Sequence, residues 1–370
     1  MLHWTFRSLL TAPLGLAASI LAAAGAFLLV MLFEAVFAGE SEQIVAYPRH
    51  ADADVWVMQA DVTNMHMSTS YLADWKVAEI REVPGVAAAE GILYLGTVTE
   101  TAGRQWFAYI VGLDVPSAQA GPWAIAAGRA EPGPGEAVVP AVFAAMTGLK
   151  LGATVRITDR DFTIVGLSDG TFSMANSIIF VTRRDLEDLM TSLDIVSFVL
   201  VKVATDADPA AVAAAIEASV DKVSAVPTER FIANDRRLAM QMGVETIALM
   251  TLIGAALAIL LVSFAVFTQV ARQRREFAVL KALGVTNRAL YASIAAQAAV
   301  ISVAGVALAA MLAVVLMPAI TALMPQVTLL LTGAAVTRVA VVGVAVALLA
   351  SLVPARQIAR VDPLSAFQRD

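Results

Sequence analysis

The stretch Leu14–Phe33, LGLAASILAAAGAFLLVMLF, runs for 20 residues with Ser19 as its one polar member. As a helix rising 1.5 Å per residue, a run of that length spans about 30 Å, the thickness of a bilayer's hydrocarbon core. Three more apolar blocks follow, Thr246–Val270, Ala289–Met317 and the shorter Val339–Val353. The last reaches spanning length only if Arg338 and Arg356 snorkel at its two ends. Residues 39–238 contain no such run. Arg7 precedes the first block and Val36-Phe37-Ala38 offers a tolerable cleavage pattern. Signal-peptide cores run about 7–15 residues, however, so the first block reads as a retained span.

The expected fold is therefore an α-helical membrane protein with four transmembrane helices and an α+β extracytoplasmic domain inserted between helices 1 and 2. Residues 1–38 hold an N-terminal segment and helix 1, and 39–240 the extracytoplasmic domain. Helix 2 takes 241–270, a cytoplasmic segment 271–288, and helix 3 289–317. An outer loop (318–336), helix 4 (337–355) and a cytoplasmic tail (356–370) complete the chain.

Composition agrees. Of 370 residues, 59% are hydrophobic and 15% charged, against roughly 45–50% and about 25% in soluble domains. A purely soluble enzyme and disordered or fibrous classes are excluded. There are no cysteines, so disulfides, thiolate zinc sites and cysteine nucleophiles are ruled out. His3, His50 and His66 are too widely spaced to suggest a histidine-built metal site.

The net charge of −6 is unevenly divided. Residues 39–238 carry 15 basic against 26 acidic residues. The 272–288 stretch carries Arg272, Arg274, Arg275, Lys281 and Arg288 against Glu276 alone, and the tail adds Arg356, Arg360 and Arg369. Basic loops stay in the cytoplasm. Both termini and 271–288 are then expected on the cytoplasmic side of the inner (plasma) membrane, and the acidic insert outside. Nothing here suggests nucleic acid.

Within the insert, Asp54–Gln59, Ile92–Thr99, Trp106–Leu113, Ser177–Val181 and Ser197–Val203 read as strands, and Val155–Leu167 as a hairpin turning at Asp159-Arg160-Asp161. Tyr71–Val83 and Pro209–Val220 read as helices, the second capped by Asp208. No catalytic constellation emerges. Asp52/Asp54 and Asp159/Asp161 fit solvated surface. Met65-His66-Met67 offers soft ligands of the kind that hold copper(I). With no second Met/His cluster, it reads as loop packing.

The inner segment decides the function. Phe277, Leu280 and Leu283 form one apolar edge on a short helix whose other faces are basic. Gly284 can end that helix in the left-handed conformation, and Thr286 or Asn287 can cap the next. Composition alone leaves open whether the edge lies in a partner's groove or rests on anionic headgroups. The run from Arg274 to Thr286, RREFAVLKALGVT, resembles the "R-x-E-I-x-x-L-K-A-L-G-A" element of ATP-binding-cassette (ABC) permeases of the FtsX/MacB type. Val353–Phe367, VPARQIARVDPLSAF, resembles the "P-A-R-x-A-x-x-x-x-P-x-x-A-L" ending of the same family, and the order of spans matches too.

That resemblance implies a permease subunit working as two chains with two copies of a separate ABC ATPase, and with a possible periplasmic adaptor. Arg274, Arg275, Glu276, Phe277, Leu280, Lys281, Leu283 and Gly284 would form the coupling helix that fits into the ATPase. ATP and magnesium would bind to that partner, with no cofactor in this chain, and ATP-driven motion would cross the membrane by mechanotransmission. The chain has no Gly-Lys dipeptide and so no phosphate-cradling Walker A loop. It is expected to be no enzyme itself. The insert is shorter than the two-subdomain version of macrolide and lipoprotein exporters. This favours a likeness to compact members, the haem-efflux and glycolipid-export permeases. The expected cargo is lipophilic or amphiphilic; the alternative is an FtsX-like regulator that moves nothing and drives an outer partner protein.

Ionisable residues close to the membrane core suggest one more site. Glu34 follows the first span, Glu245 begins the second, and Met31 lies one turn before Glu34. Met31, Glu34 and Glu245 are candidate lining for a substrate pocket near the outer leaflet. The plainer reading sets both carboxylates at the headgroup level.

Overall fold

Val55–Met58 and Phe198–Val201 are apolar at every position, as strands are when both faces of their sheet are covered. A computed structural model of the chain describes residues 13–66, 68–101, 103–172, 177–191 and 194–359. In chain order the elements begin with α1 (Pro13–Ile44), α2 (Ala46–His50), β1 (Val55–Gln59), β2 (Leu72–Ala73), α3 (Trp75–Arg81), β3 (Val86–Thr101) and β4 (Arg104–Leu113). Next come β5 (Ile125–Gly128), β6 (Glu136–Pro140), α4 (Ala141–Thr147), β7 (Thr154–Ile157), β8 (Arg160–Ser168), β9 (Ile178–Thr182) and α5 (Arg183–Met190). The remainder are β10 (Ile195–Val196), β11 (Phe198–Val203), α6 (Pro209–Ser219), β12 (Val223–Pro227), α7 (Thr228–Arg272), α8 (Arg274–Ala282), α9 (Asn287–Leu323) and α10 (Gly333–Ala359). They fall into two units, residues 40–242 with 324–328, and the rest.

The first unit is the insert, an α+β domain. Its main sheet has the order β12-β1-β11-β3-β4-β9-β6-β8-β5, with β7 against β3 and β8. The long β3 joins two halves: Val86–Ile92 pairs with β11 and Leu93–Thr101 with β4. Side chains alternate across the sheet. Trp56, Met58, Ile92, Val111, Phe180, Phe198 and Leu200 build one aromatic-rich layer with Tyr47 and Phe231. The opposite face splits. Val55, Val57, Val199 and Val201 pack with Ile80 of α3 and Ile216 of α6. Ile179 and Val181 pack with Phe143 of α4 and Leu186 of α5. Two helix-backed lobes on one sheet thus fit within some 200 residues.

Local differences from the expected elements have physical causes. The β7–β8 turn comes one residue early, because Thr158 takes the left-handed conformation (φ 55°). Arg160 and Asp161 are therefore in β8. The helix expected from Tyr71 starts only at Trp75, because Leu72–Ala73 pairs with Ile195–Val196 instead. Asp208 does cap α6, accepting from the amides of Ala210 and Ala211. α7 starts 18 residues before Thr246: Thr228 Oγ1 donates to the Ala53 carbonyl at 2.6 Å, and Phe231 stacks on Trp56 with centroids 4.8 Å apart.

The second unit holds α1, α7, α9 and α10, each long and apolar enough to cross a membrane. Phe27, Val262, Val266, Ile294, Ile301 and Val346 form its buried core, while Leu252, Leu260, Phe264, Val314 and Val344 face outward. Water would penalise that outer surface and lipid does not. Small residues let the helices approach. A Cβ placed on Gly254 of α7 would lie 2.2 Å from Val30 Cγ2 of α1. Ser302 Oγ donates to the Gly343 carbonyl at 2.6 Å, tying α9 to α10. α10 starts at Gly333 and continues through Pro354 to Ala359, longer at both ends than the expected span.

Candidate functional site

α8 lies between two spans and is bounded on both sides by sequence-encoded breaks. At its start Gln273 leaves helical geometry (φ −96°, ψ 10°) and is buried. At its end Gly284 has φ +87°. The Gly284 amide donates to the Lys281 carbonyl at 3.1 Å, and the Val285 amide to the Leu280 carbonyl at 3.1 Å. These two bonds make a Schellman cap, whose C′ position glycine fills without a Cβ penalty. The amides of Ala289 and Leu290 then donate to the Thr286 carbonyl, which opens α9.

The apolar edge expected over Phe277, Leu280 and Leu283 does not hold together. Residues three apart on a 3.6-residue helix drift about 60° per step, so Leu283 lies about 120° round from Phe277. Phe277 is 1% exposed and, with Ala278, belongs to the core of its own unit. Leu280 packs against that core. Leu283 is 76% exposed and Val279 41%. Arg275 and Glu276 are exposed beside them, Lys281 is half-buried, and the Arg274 side chain lies outside the described residues. The exposed apolar surface is thus that of Val279 and Leu283, flanked by Arg275 and Glu276, and Phe277 is the anchor beneath it. Val279 was missed in the sequence, although its spacing of four from Leu283 marks a shared face.

The candidate pocket of Met31, Glu34 and Glu245 also changes character. Met31 is fully buried in the helix core. Glu34 is buried too, and its Oε2 receives Arg338 Nε at 3.0 Å and Arg338 Nη2. Arg338, expected to snorkel at the end of helix 4, turns its guanidinium to a carboxylate on α1. The Glu245 side chain lies outside the described residues, as do Arg7, Met67 and the tail from Arg360. Met65 packs in the aromatic layer of the insert, and among the described residues no three His, Cys, Asp or Glu gather to hold a metal.

A family model described as the MacB-like periplasmic core domain matches residues 14–219, more than half of the chain. A second, the FtsX-like permease C-terminal, matches residues 248–363 and contains all of α8. The chain is an ABC transporter permease of the FtsX/MacB type. An uncharacterized ABC transporter permease of Mycobacterium tuberculosis (strain ATCC 25618 / H37Rv) is 25% identical over 322 residues, 85% of this chain and 84% of that one. Another from Mycobacterium bovis (strain ATCC BAA-935 / AF2122/97) is 24% identical over 316 residues, with coverages of 85% and 84%. Among solved structures, the periplasmic region of MacB from Actinobacillus actinomycetemcomitans aligns with a TM-score of 0.38 at 10% identity, over 52% of this chain and 96% of that one. The extracellular domain of the noncanonic ABC-type transporter YknZ from Gram-positive bacteria aligns at 0.37 and 11%, over 47% and 98%. As an FtsX/MacB-type permease this is a multi-pass membrane protein, with its MacB-like domain between the first and second spans.

Proposed function

We propose that the permease is driven by a separate ABC ATPase that grips α8, and that two permease chains and two ATPases form the working unit. ATP and magnesium belong to the partner. α8 and both termini face the cytoplasm of the inner (plasma) membrane, as the basic residues of 272–288 favour, and the acidic insert faces outward. The cargo is a lipophilic or amphiphilic molecule extruded from the membrane by mechanotransmission. The observation that carries this reading is the exposed Leu283 and Val279, held out on a short capped helix by the buried Phe277. An apolar stripe on a rigid helix suits a groove in a partner.

Leu283→Glu is expected to leave the permease folded and abolish co-purification of the ATPase. Phe277→Ala empties a packed site, which typically costs about 3–5 kcal/mol, and is expected to lower the yield and melting temperature of the permease itself. Normal co-purification and coupling with Leu283→Glu would refute the placement of the handle. A second reading has specific support. α1 and α7 meet at Val30 and Gly254, where a lateral opening for cargo would otherwise lie, and this favours an FtsX-like regulator that passes motion to an outer protein. Stimulation of ATPase activity by amphiphiles supports export, and stimulation only by an outer partner supports regulation.

A further inference from the structure

A groove of about 420 Å³ opens in the insert, lined by none of the residues assigned above to ATPase coupling or to the membrane. Its walls include Tyr94, Tyr109, Phe107 and His66. Tyr94 and Tyr109 stack at 5.0 Å, with Phe107 edge-on to Tyr109 at 5.0 Å and His66 edge-on at 5.1 Å. Phe107 and Tyr71 are exposed at the groove. The volume is that of a small-molecule site, and its lining combines this aromatic wall with the hydroxyl-bearing Ser68, Thr69, Ser70 and Ser197.

Ser70 and Ser197 are hydrogen-bonded, but several polar atoms around His66 are not. The His66 side chain is 10% exposed, and neither ring nitrogen makes a hydrogen bond. The buried Tyr94 hydroxyl makes none either. Next to His66 lies Asp235, whose side chain is completely buried. Its Oδ1 accepts from the Met65 amide at 3.1 Å and the His66 amide at 3.4 Å and is 3.4 Å from His66 Nδ1, while Oδ2 is unpartnered. Buried polar groups are ordinarily satisfied, so a cluster of unsatisfied ones points to an absent companion. Among the described residues no lysine or arginine lines the groove. Burial pushes the Tyr94 and Tyr109 phenols above their ordinary range, so both rings stay neutral.

We infer that this groove binds a small amphiphilic amine, its apolar body against Phe107 and Tyr109 and its ammonium group against the tyrosine faces, the Tyr94 hydroxyl and His66. With the His66 proton on Nδ1, facing Asp235, Nε2 is left to accept from the ammonium. The buried Asp235 carboxylate supplies the opposite charge behind the imidazole, and an aromatic wall attracts cations by its ring quadrupole. An anion would be disfavoured by the Asp235 charge behind the imidazole. The inference stands independently of the transport reading, because it concerns binding to this chain alone.

The test is calorimetry on the full chain in nanodiscs with three probes of equal apolar length: hexylammonium, hexanol and hexanesulfonate. Hexylammonium is expected to bind about tenfold or more tighter than hexanol, as a desolvated cation–π contact of about 2 kcal/mol gives, with hexanesulfonate weakest. Asp235→Asn keeps the Oδ1 acceptor and the aromatic wall, and should weaken hexylammonium several-fold while leaving hexanol unchanged. Tyr94→Phe removes a hydroxyl that has no partner, so it should leave the melting temperature unlowered and weaken hexylammonium alone. Equal binding of the three probes would overturn the inference. So would wild-type binding of hexylammonium by both variants.

Discussion

Glu34 and Arg338 form the ion pair that ties α1 to α10, and their burial is unequal. The Glu34 side chain is 6% exposed and that of Arg338 56%. Removing the arginine strands a buried carboxylate, whereas removing both leaves neither charge in need of a partner. Arg338→Ala is therefore expected to lower the melting temperature of the purified permease more than the double variant Glu34→Ala/Arg338→Ala, with a coupling of about 1 kcal/mol or more in a double-mutant cycle. A loss in the double variant equal to the summed losses of Glu34→Ala and Arg338→Ala would leave the pair without a structural role. Glu90 in the insert makes a pH-dependent prediction. Burial raises its pKa, against the opposing hydrogen bonds from the Ser117 hydroxyl and the Gln119 amide. A carboxyl whose folded value lies above its unfolded one favours the fold at low pH, and that contribution is lost as pH rises through the carboxylate range. Glu90→Gln stays neutral throughout. The melting temperature of wild type relative to this variant should thus fall between pH 4 and pH 7, and a difference constant across that range would contradict the assignment.

At the scale of elements, α8 shows what could be read in advance and what could not. Its existence, its glycine stop and the start of α9 at Thr286-Asn287 follow from local chemistry, since Gly284 alone supplies a φ of +87° cheaply. Gly284→Val should cost about 1 kcal/mol or more and weaken ATPase coupling by loosening the Schellman cap. Coupling equal to wild type would show that the cap does not hold the handle. Which face of α8 is free could not be read so simply. Counting Phe277, Leu280 and Leu283 as one edge ignores helical drift, and only the core around Leu290 and Ile294 shows that Phe277 points inward. The same division runs through the insert. Strands such as β1, β4 and β11 were legible from β-branched and aromatic runs. β2 and β10 were not, because each is two residues long and exists only through the other. The groove beside His66 was legible only as a methionine-histidine cluster, since Tyr94, Tyr109 and Asp235 come from distant positions that the sheet and α7 bring together. The α5 cap was readable and overlooked: Thr182 accepts from the Asp185 amide at 3.1 Å in a Thr-x-x-Asp pattern.

For the whole molecule, the family assignment makes this an ABC permease, and its working direction depends on which side of the membrane each unit occupies. Close helix contacts make the membrane unit sensitive to added volume. Gly254→Leu would press into Val30 and should destabilise that unit by about 1–3 kcal/mol, read as a lower melting temperature; no change would mean that α1 and α7 are looser than their spacing implies. The central claim is that α8 is an inward handle on the opposite face from the insert. The wild-type chain has no cysteine, so single exposed cysteines report their side without background. Leu283→Cys and Phe107→Cys, treated in intact spheroplasts with a membrane-impermeant maleimide, give the most direct measurement. Phe107→Cys is predicted to label at once and Leu283→Cys only after permeabilisation. Labelling of both from the same side of the sealed membrane would contradict the account.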